Sequence, residues 1–404
     1  MAGNSLLNIS MITKEALRIL KNNLGFAKGV NRQYDDSFAN KDAKIGSVIN
    51  VRKPVRFSVT SGAALNIQDV ADQYVPLTLD TQNHVGFQFT SKELSLNIDQ
   101  FSARYLAPAI AALANKIDND GMAKYADVYN SVGTPGTIPS TALTFLQAGQ
   151  KLDEMAAPRD GMRYLAISPA AQASTVDALK GLFQDSSEIQ KQYDSGIMGK
   201  ALGFTWRMDQ NVASRTVGPL GGTPTVKTAS VDGDTTLSTK AWTASAASRL
   251  KKGDVFTIGS VYAVNPQSRV STGSLQQFVV TADFSSDGSG NGVVSISPTI
   301  QSTGAYQNVD SLPQVSAAIT VVGAANTASP QSLAYHKDAF CLGMVDLQLP
   351  GGVDMAAKAS DPDSGLSLRI VRSYDIVNDR FPCRIDVMYG WKTLFPELAC
   401  RIQG

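Results

Sequence analysis

The chain has 404 residues, 43% of them hydrophobic, which suits two or three domains with substantial cores. Lys and Arg total 36 against 35 for Asp and Glu, and the formal charge of +1 excludes the basic excess of a dedicated nucleic-acid or acidic-membrane binder. No apolar run approaches the ~20 residues of a membrane-spanning helix, and residues 1–10 lack a basic segment leading into an apolar core, so a soluble protein without a secretory signal is expected.

An amphipathic helix is predicted over 10–23, because Ile12, Ala16, Leu17, Leu20 and Leu24 recur at three- and four-residue steps. From Val48 the period becomes two: Ile49, Val51, Val55, Phe57 and Val59 alternate with Arg52, Arg56 and Ser58, a strand with a basic outer face. Val75, Leu77 and Leu79, then Val85, Phe87 and Phe89, alternate in the same way and suggest the return strand of a projecting hairpin. Asp99 is placed to cap the longest helix, with the stripe Phe101, Tyr105, Ala109, Leu113, Ile117, Tyr125 and Val128. Roughly 30 residues at ~1.5 Å each would span about 45 Å, with Pro108 bending the first turns.

A helix over 141–157 carries Phe145, Leu146, Leu152 and Met155 on one face, and a short buried strand holds Tyr164, Ala166 and Ser168. Ser168-Pro169 is a cap followed by proline at the first helical position and opens a helix to about Leu182. Another helix is expected at 186–195 and a strand at 203–211. Between 218 and 329 the sequence turns rich in Thr, Ser, Gly, Val and Ala, with strands expected at 254–264, 276–282 and 292–296 and tight turns at Asp287-Gly288 and Asn291-Gly292. This reads as a small all-β domain inserted into a mixed one, whose strands resume at 339–349, 366–376 and 382–392. The fold class is α+β.

Chemistry-bearing motifs are scarce. Gly288, Gly290 and Gly292 lie between strands with no helix to present amides to a phosphate, and Ala201 stands where a phosphate loop needs a hydroxyl. Asp361 and Asp363, or Asp287 and Asn291, lack the late glutamate of a calcium loop. His84 and His336 have no ligand at metal spacing, and the pairs Asp118/Asp120 and Asp153/Glu154 read as the polar faces of helices. Cys341, Cys383 and Cys400 read as buried reduced thiols. No catalytic residue, metal or cofactor is assigned. Arg52, Lys53 and Arg56 form a basic cluster without the stacking aromatics of a nucleic-acid groove, and they are the candidates for subunit contacts through carboxylates.

The closing stretch is the most specific. Cys383, Ile385, Val387, Tyr389 and Trp391 alternate with Arg384, Asp386, Met388 and Gly390, and Pro396-Glu397 follows. It resembles the last strand of tailed-phage major coat proteins, in particular the short-tailed-phage coat family that carries an inserted domain. The stretch Tyr335-His336-Lys337-Asp338-Ala339-Phe340, with Leu347 and Pro350, resembles a segment common in tailed-phage coat proteins. Leu250-Lys251-Lys252-Gly253-Asp254, with Phe256, Ile258 and Gly259, resembles an early strand of the insertion domain.

The resemblance implies a Hong Kong 97-like capsid fold: an N-terminal arm (1–44), an extended loop (45–98), a spine helix and peripheral domain (99–137), an axial domain (138–217 and 330–365), the inserted domain (218–329) and closing peripheral strands (366–404). It implies a major capsid protein rather than an enzyme, self-assembling as hexamers and pentamers into an icosahedral shell of the virion. The shell would be built in the host bacterial cytoplasm with a scaffolding protein and a portal protein, expand, and enclose double-stranded DNA without sequence-specific binding. The alternative from another class is a tail-associated or carbohydrate-binding adhesin, which needs an exposed aromatic platform on the Ser, Thr and Gly-rich region.

Overall fold

The computed structural model describes residues 9–32, 48–57, 59, 62–63, 67, 73–90, 105–179, 199–361 and 365–403. Two compact units emerge: Met1–Arg52, Tyr74–Gly121 and Phe340–Lys392 form the first, and Lys53–Gln73, Met122–Ala339 and Thr393–Gly404 the second. In chain order come α1 (Ile9–Asn23), β1 (Val48–Lys53), β2 (Gln73–Thr78), β3 (Thr81–Thr90), α2 (Ala107–Met122), β4 (Ser131–Val132), α3 (Ala142–Glu154), β5 (Arg163–Ile167), α4 (Pro169–Leu179), β6 (Lys200–Ala201), β7 (Phe204–Met208) and β8 (Ser214–Thr216). They are followed by β9 (Gly222–Val226), β10 (Thr236–Trp242), β11 (Ser248–Leu250), β12 (Val255–Val264), β13 (Ser271–Val280), β14 (Phe284–Ser285), β15 (Gly292–Ser297) and β16 (Ile319–Val321). The chain closes with β17 (Ala328–His336), β18 (Phe340–Met344), β19 (Met355–Asp361), β20 (Leu366–Arg372), β21 (Arg380–Thr393) and β22 (Ala399–Gln403).

In the first unit α1 buries Ala16, Leu17 and Leu20, with Leu24 just beyond its end, the stripe its spacing predicts. β1 pairs with β2 in a two-stranded ribbon. The expected strand to Val59 stops at Lys53, because Pro54 has no amide to donate to a ladder. The strand at Val85 and Phe87 is not part of that hairpin. β3 pairs antiparallel with β21 over ten residues, from Thr81↔Tyr389 to Thr90↔Arg380, and so joins the sheet β18-β21-β20-β19. Alternation marks a strand's faces but not its partner.

The expected long helix is described from residue 105 onward. α2 covers 16 residues, about 24 Å, then tightens into a 3-10 turn at Ala123–Asp127. Val128 ends it, its backbone turning extended at φ −86° and ψ 124°. The expected cap Asp99 and Phe101 lie outside the described residues, as does the helix expected at 186–195.

The second unit holds two β structures. One is the sheet β4-β22-β17-β5-β7-β6, with β8 also paired to β17. α3 packs on it through Phe145, Ala148 and Leu152, while Leu146, expected on that face, is exposed because it lies one residue off the three- and four-step stripe. Ser168 caps α4 as predicted, its Oγ accepting from the Ala171 amide at 3.2 Å. The other structure has strand order β16-β12-β13-β15-β10-β9, and the antiparallel bridge Thr225↔Ala318 brings its two end strands together into a closed barrel. Leu237, Trp242, Phe256, Ile258, Phe278, Val294 and Ile296 fill it. The chain leaves for the barrel after β8 and returns at β17, and these two strands are antiparallel neighbours.

Candidate subunit-contact surface

Of the three cations expected to meet a neighbouring subunit, Arg52 is exposed on β1. Lys53 and Arg56 are engaged within the chain. Lys53 Nζ lies 5.0 Å from the centre of the Phe395 ring, and Arg56 Nη2 donates to Glu397 Oε1 at 2.8 Å while the guanidinium stands 5.9 Å from the Tyr306 ring centre. A half-buried pair of this kind is worth about 1 kcal/mol and holds the segment after β1 in place. Glu397 thus has a structural role in this fold.

A second candidate lies at the turn between β20 and β21, where Ile376 and Val377 are 82% and 85% exposed. The turn is ordered. Asp375 accepts the Val377 amide at 3.0 Å and the Asn378 side-chain amide at 2.7 Å, and Tyr374 donates to Asp379 at 3.0 Å. The Asn378 and Val377 donors hold the Asp375 carboxyl below its ordinary range. Two adjacent aliphatic side chains on a fixed turn form a preorganised apolar knob, because little ordering entropy remains to be lost on contact.

Several titratable groups outside these segments hold the fold together. His336 lies buried with Nε2 3.2 Å from Asp160, and its Nδ1 accepts the Asp338 amide at 3.3 Å. Asp118 and Asp120 are not merely a polar helix face. Asp118 is buried and accepts the amides of Gly25 at 2.6 Å and Ala27 at 2.9 Å, while Asp120 accepts the Tyr389 hydroxyl at 2.6 Å. Asp153 binds Arg159 and Arg163, and the Arg159 guanidinium lowers its carboxyl first. Among the described residues no group of three His, Cys, Asp or Glu is placed to hold a metal ion, and no helix is long and apolar enough to cross a membrane.

The whole chain, residues 1–404, matches the family model described as P22 coat protein, gene protein 5. The chain belongs to the P22 coat protein family. It is therefore a structural protein of a phage coat, a virion component and not an enzyme. Among solved structures it is similar to the capsid of Ralstonia phage GP4, at 8% identity over 93% of this chain and 87% of that one with a TM-score of 0.46. A Mycobacterium phage Che8 chain is 15% identical over 93% and 90% with a TM-score of 0.45, and the Cyanophage P-SCSP1u capsid is 13% identical over 89% and 84% with a TM-score of 0.41. No curated protein matches significantly.

Residues that hold this coat subunit together went unrecognised in sequence. Tyr389 links Asp120 to Asn83, whose amide donates to its hydroxyl at 2.6 Å, and Trp391 donates to the Ile117 carbonyl at 3.1 Å. Trp391 also packs 5.6 Å from Phe26, and a Cβ on Gly121 would lie 2.5 Å from its ring. The one available signal was the aromatic pair at alternate positions of β21. The cysteines are buried as expected, and burial pushes Cys383 up to about 11 and Cys400 to about 12. Maleimide applied to the native chain at neutral pH is expected to modify none of Cys341, Cys383 and Cys400 until denaturant is added, and rapid labelling of any of them, read by mass spectrometry, would contradict this burial.

Proposed function

We propose that this coat protein assembles as hexamers and pentamers into an icosahedral shell, in the Hong Kong 97-like arrangement, with the arm, extended loop, spine helix, inserted domain and axial and peripheral regions in the chain order expected from sequence. Assembly would proceed in the host cytoplasm as a procapsid organised by a scaffolding protein and a portal, followed by expansion around double-stranded DNA held without sequence-specific contacts. The observation that carries this reading is the match of the full chain to a coat-protein family. The exposed Phe57 and Tyr74, and the knob at Ile376 and Val377, support it as apolar surface that association would bury. The adhesin alternative has a thin platform, since Trp242, Phe256, Phe278 and Phe284 are buried in the barrel and the aromatics left at its surface are Tyr262, 37% exposed, and the half-buried Tyr306.

The test is expression with and without a scaffolding protein, read by sedimentation and electron microscopy. Closed shells, or aberrant spirals without scaffold, are expected, and a persistent monomer or small trimer under both conditions would overturn the proposal. Within that assay Ile376→Asp and Arg52→Glu are expected to leave the monomer's circular dichroism unchanged and to cut particle yield at least tenfold, about 1.4 kcal/mol or more of assembly energy. Arg56→Glu is a poorer probe, since it would set two carboxylates face to face at Glu397.

A further inference from the structure

The base of the barrel holds a group of buried charges that coat assembly does not by itself call for. Arg401 on β22 is completely buried. Its Nε donates to the Val128 carbonyl at 2.7 Å and its Nη1 to the Gly253 carbonyl at 2.7 Å, with Nη2 also on Val128 and the Tyr125 ring centre 5.5 Å away. Gly253 belongs to the turn that opens β12, so one side chain of the last strand grips both the strip 128–132 and the barrel. Beside it the buried Arg215 of β8 pairs with Asp254, which also accepts the amides of Lys251 at 2.7 Å and Gly218 at 3.2 Å. Burial first, then Arg215, disfavours the charge on Arg401. Its backbone carbonyl partners must therefore be held in place for the guanidinium to be tolerated.

A second clasp acts on the same strip. Gln277 of β13 accepts the Ser131 amide at 2.7 Å and returns its own side-chain amide to the Ser131 carbonyl at 2.9 Å, copying a ladder pair with a side chain. On its other edge the strip pairs in parallel with β22 at Arg401↔Ser131 and Ile402↔Val132. Tyr129 packs with Val255 and Val279 beneath the barrel. The two connections are tied together as well, Val217 donating to Thr327 at 3.0 Å and Asn326 to Gly218 at 3.3 Å.

We infer that Arg401 is a latch: by gripping Val128 and Gly253 together, the C-terminal strand locks the barrel to the sheet that carries it, and the barrel is a rigid extension of that sheet instead of a module swinging on two linkers. The barrel's own core includes neither Arg401 nor the strip, so loss of the latch frees the barrel without unfolding it.

Hydrogen exchange by mass spectrometry on the full chain tests this. In Arg401→Met, peptides covering 126–132, 213–221, 250–255 and 322–330 are expected to exchange roughly tenfold faster or more, while β10, β13 and β15 keep their protection and the buried Trp242 keeps its emission. Unchanged exchange at the base would overturn the latch. Loss of protection throughout the barrel would overturn it too, since Arg401 would then belong to the barrel's own stability. If Arg401→Met yields no folded chain, Gln277→Leu decides: it removes only the second clasp, and the same base peptides must loosen, to a smaller degree, with the barrel intact. No change in that variant would rule out a side-chain-locked base.

Discussion

Gly390→Ala is expected to yield no stable subunit. A Cβ at this position of β21 would stand 2.0 Å from the Thr78 carbonyl oxygen and 2.9 Å from the Thr78 carbonyl carbon, and both belong to backbone that cannot swing aside as a side-chain end can. The obstacle is close approach and not a left-handed turn, for Gly390 lies inside a 14-residue strand where the end of β2 crosses it. Overpacking of this kind costs about 3 kcal/mol or more, a large part of a domain's stability. Because β3 is paired to β21 along the ten preceding residues, the strain cannot be relieved locally without breaking ladder bonds. The measurement is soluble yield with a urea unfolding curve, and a wild-type midpoint would show that the crossing has room the geometry denies.

Asp118→Ala is expected to destabilise the first unit by about 3 kcal/mol. Its carboxylate takes the amides of Gly25 and Ala27, at the point where α1 gives way to the 3-10 turn Phe26–Gly29. These amides follow a helix end, and removing the carboxylate takes from both the acceptor that holds the turn, the Ala27 amide in a buried place. Phe26 depends on that turn for its position against Phe340 and Trp391. Asp118→Asn, which keeps one acceptor oxygen, should recover about half of the loss. Thermal unfolding followed by tryptophan emission separates the two variants, and equal midpoints for Asp118→Ala and wild type would refute the capping role.

Much of this chain is legible in its sequence because local rules govern those parts. The stripe Ala16, Leu17, Leu20 made α1 readable, Ser168-Pro169 announced α4 by its cap, and alternation from Cys383 to Trp391 announced β21. Strands at 254–264 and 292–296 were readable from β-branched content and their glycine turns. β19 and β22 were not readable. Met355–Asp361 is rich in alanine and becomes a strand only through seven matched pairs with β20, and Ala399–Gln403 is buried on both faces, so no alternation survives to mark it. The candidate contact cluster divides in the same manner: charge identified Arg52, Lys53 and Arg56, but nothing near them in sequence announced that Arg56 would meet Glu397, 341 residues away.

By itself, then, the sequence determined where its strongly periodic segments are helical or extended, which face of most of them is apolar, and, through the matches at its end and across its length, that this is a phage coat protein. Those properties depend on neighbours three or four residues apart, where side-chain period and capping chemistry act. Only the tertiary structure decided that β3 belongs to β21, that six of the eight strands between 222 and 321 close on themselves, that Asp118 is an internal cap, and that the last strand grips the barrel through Arg401. Each of these is a pairing across many tens of residues. The free energy that selects it comes from joint burial and mutual hydrogen bonding, a property of the partners together that neither segment carries alone.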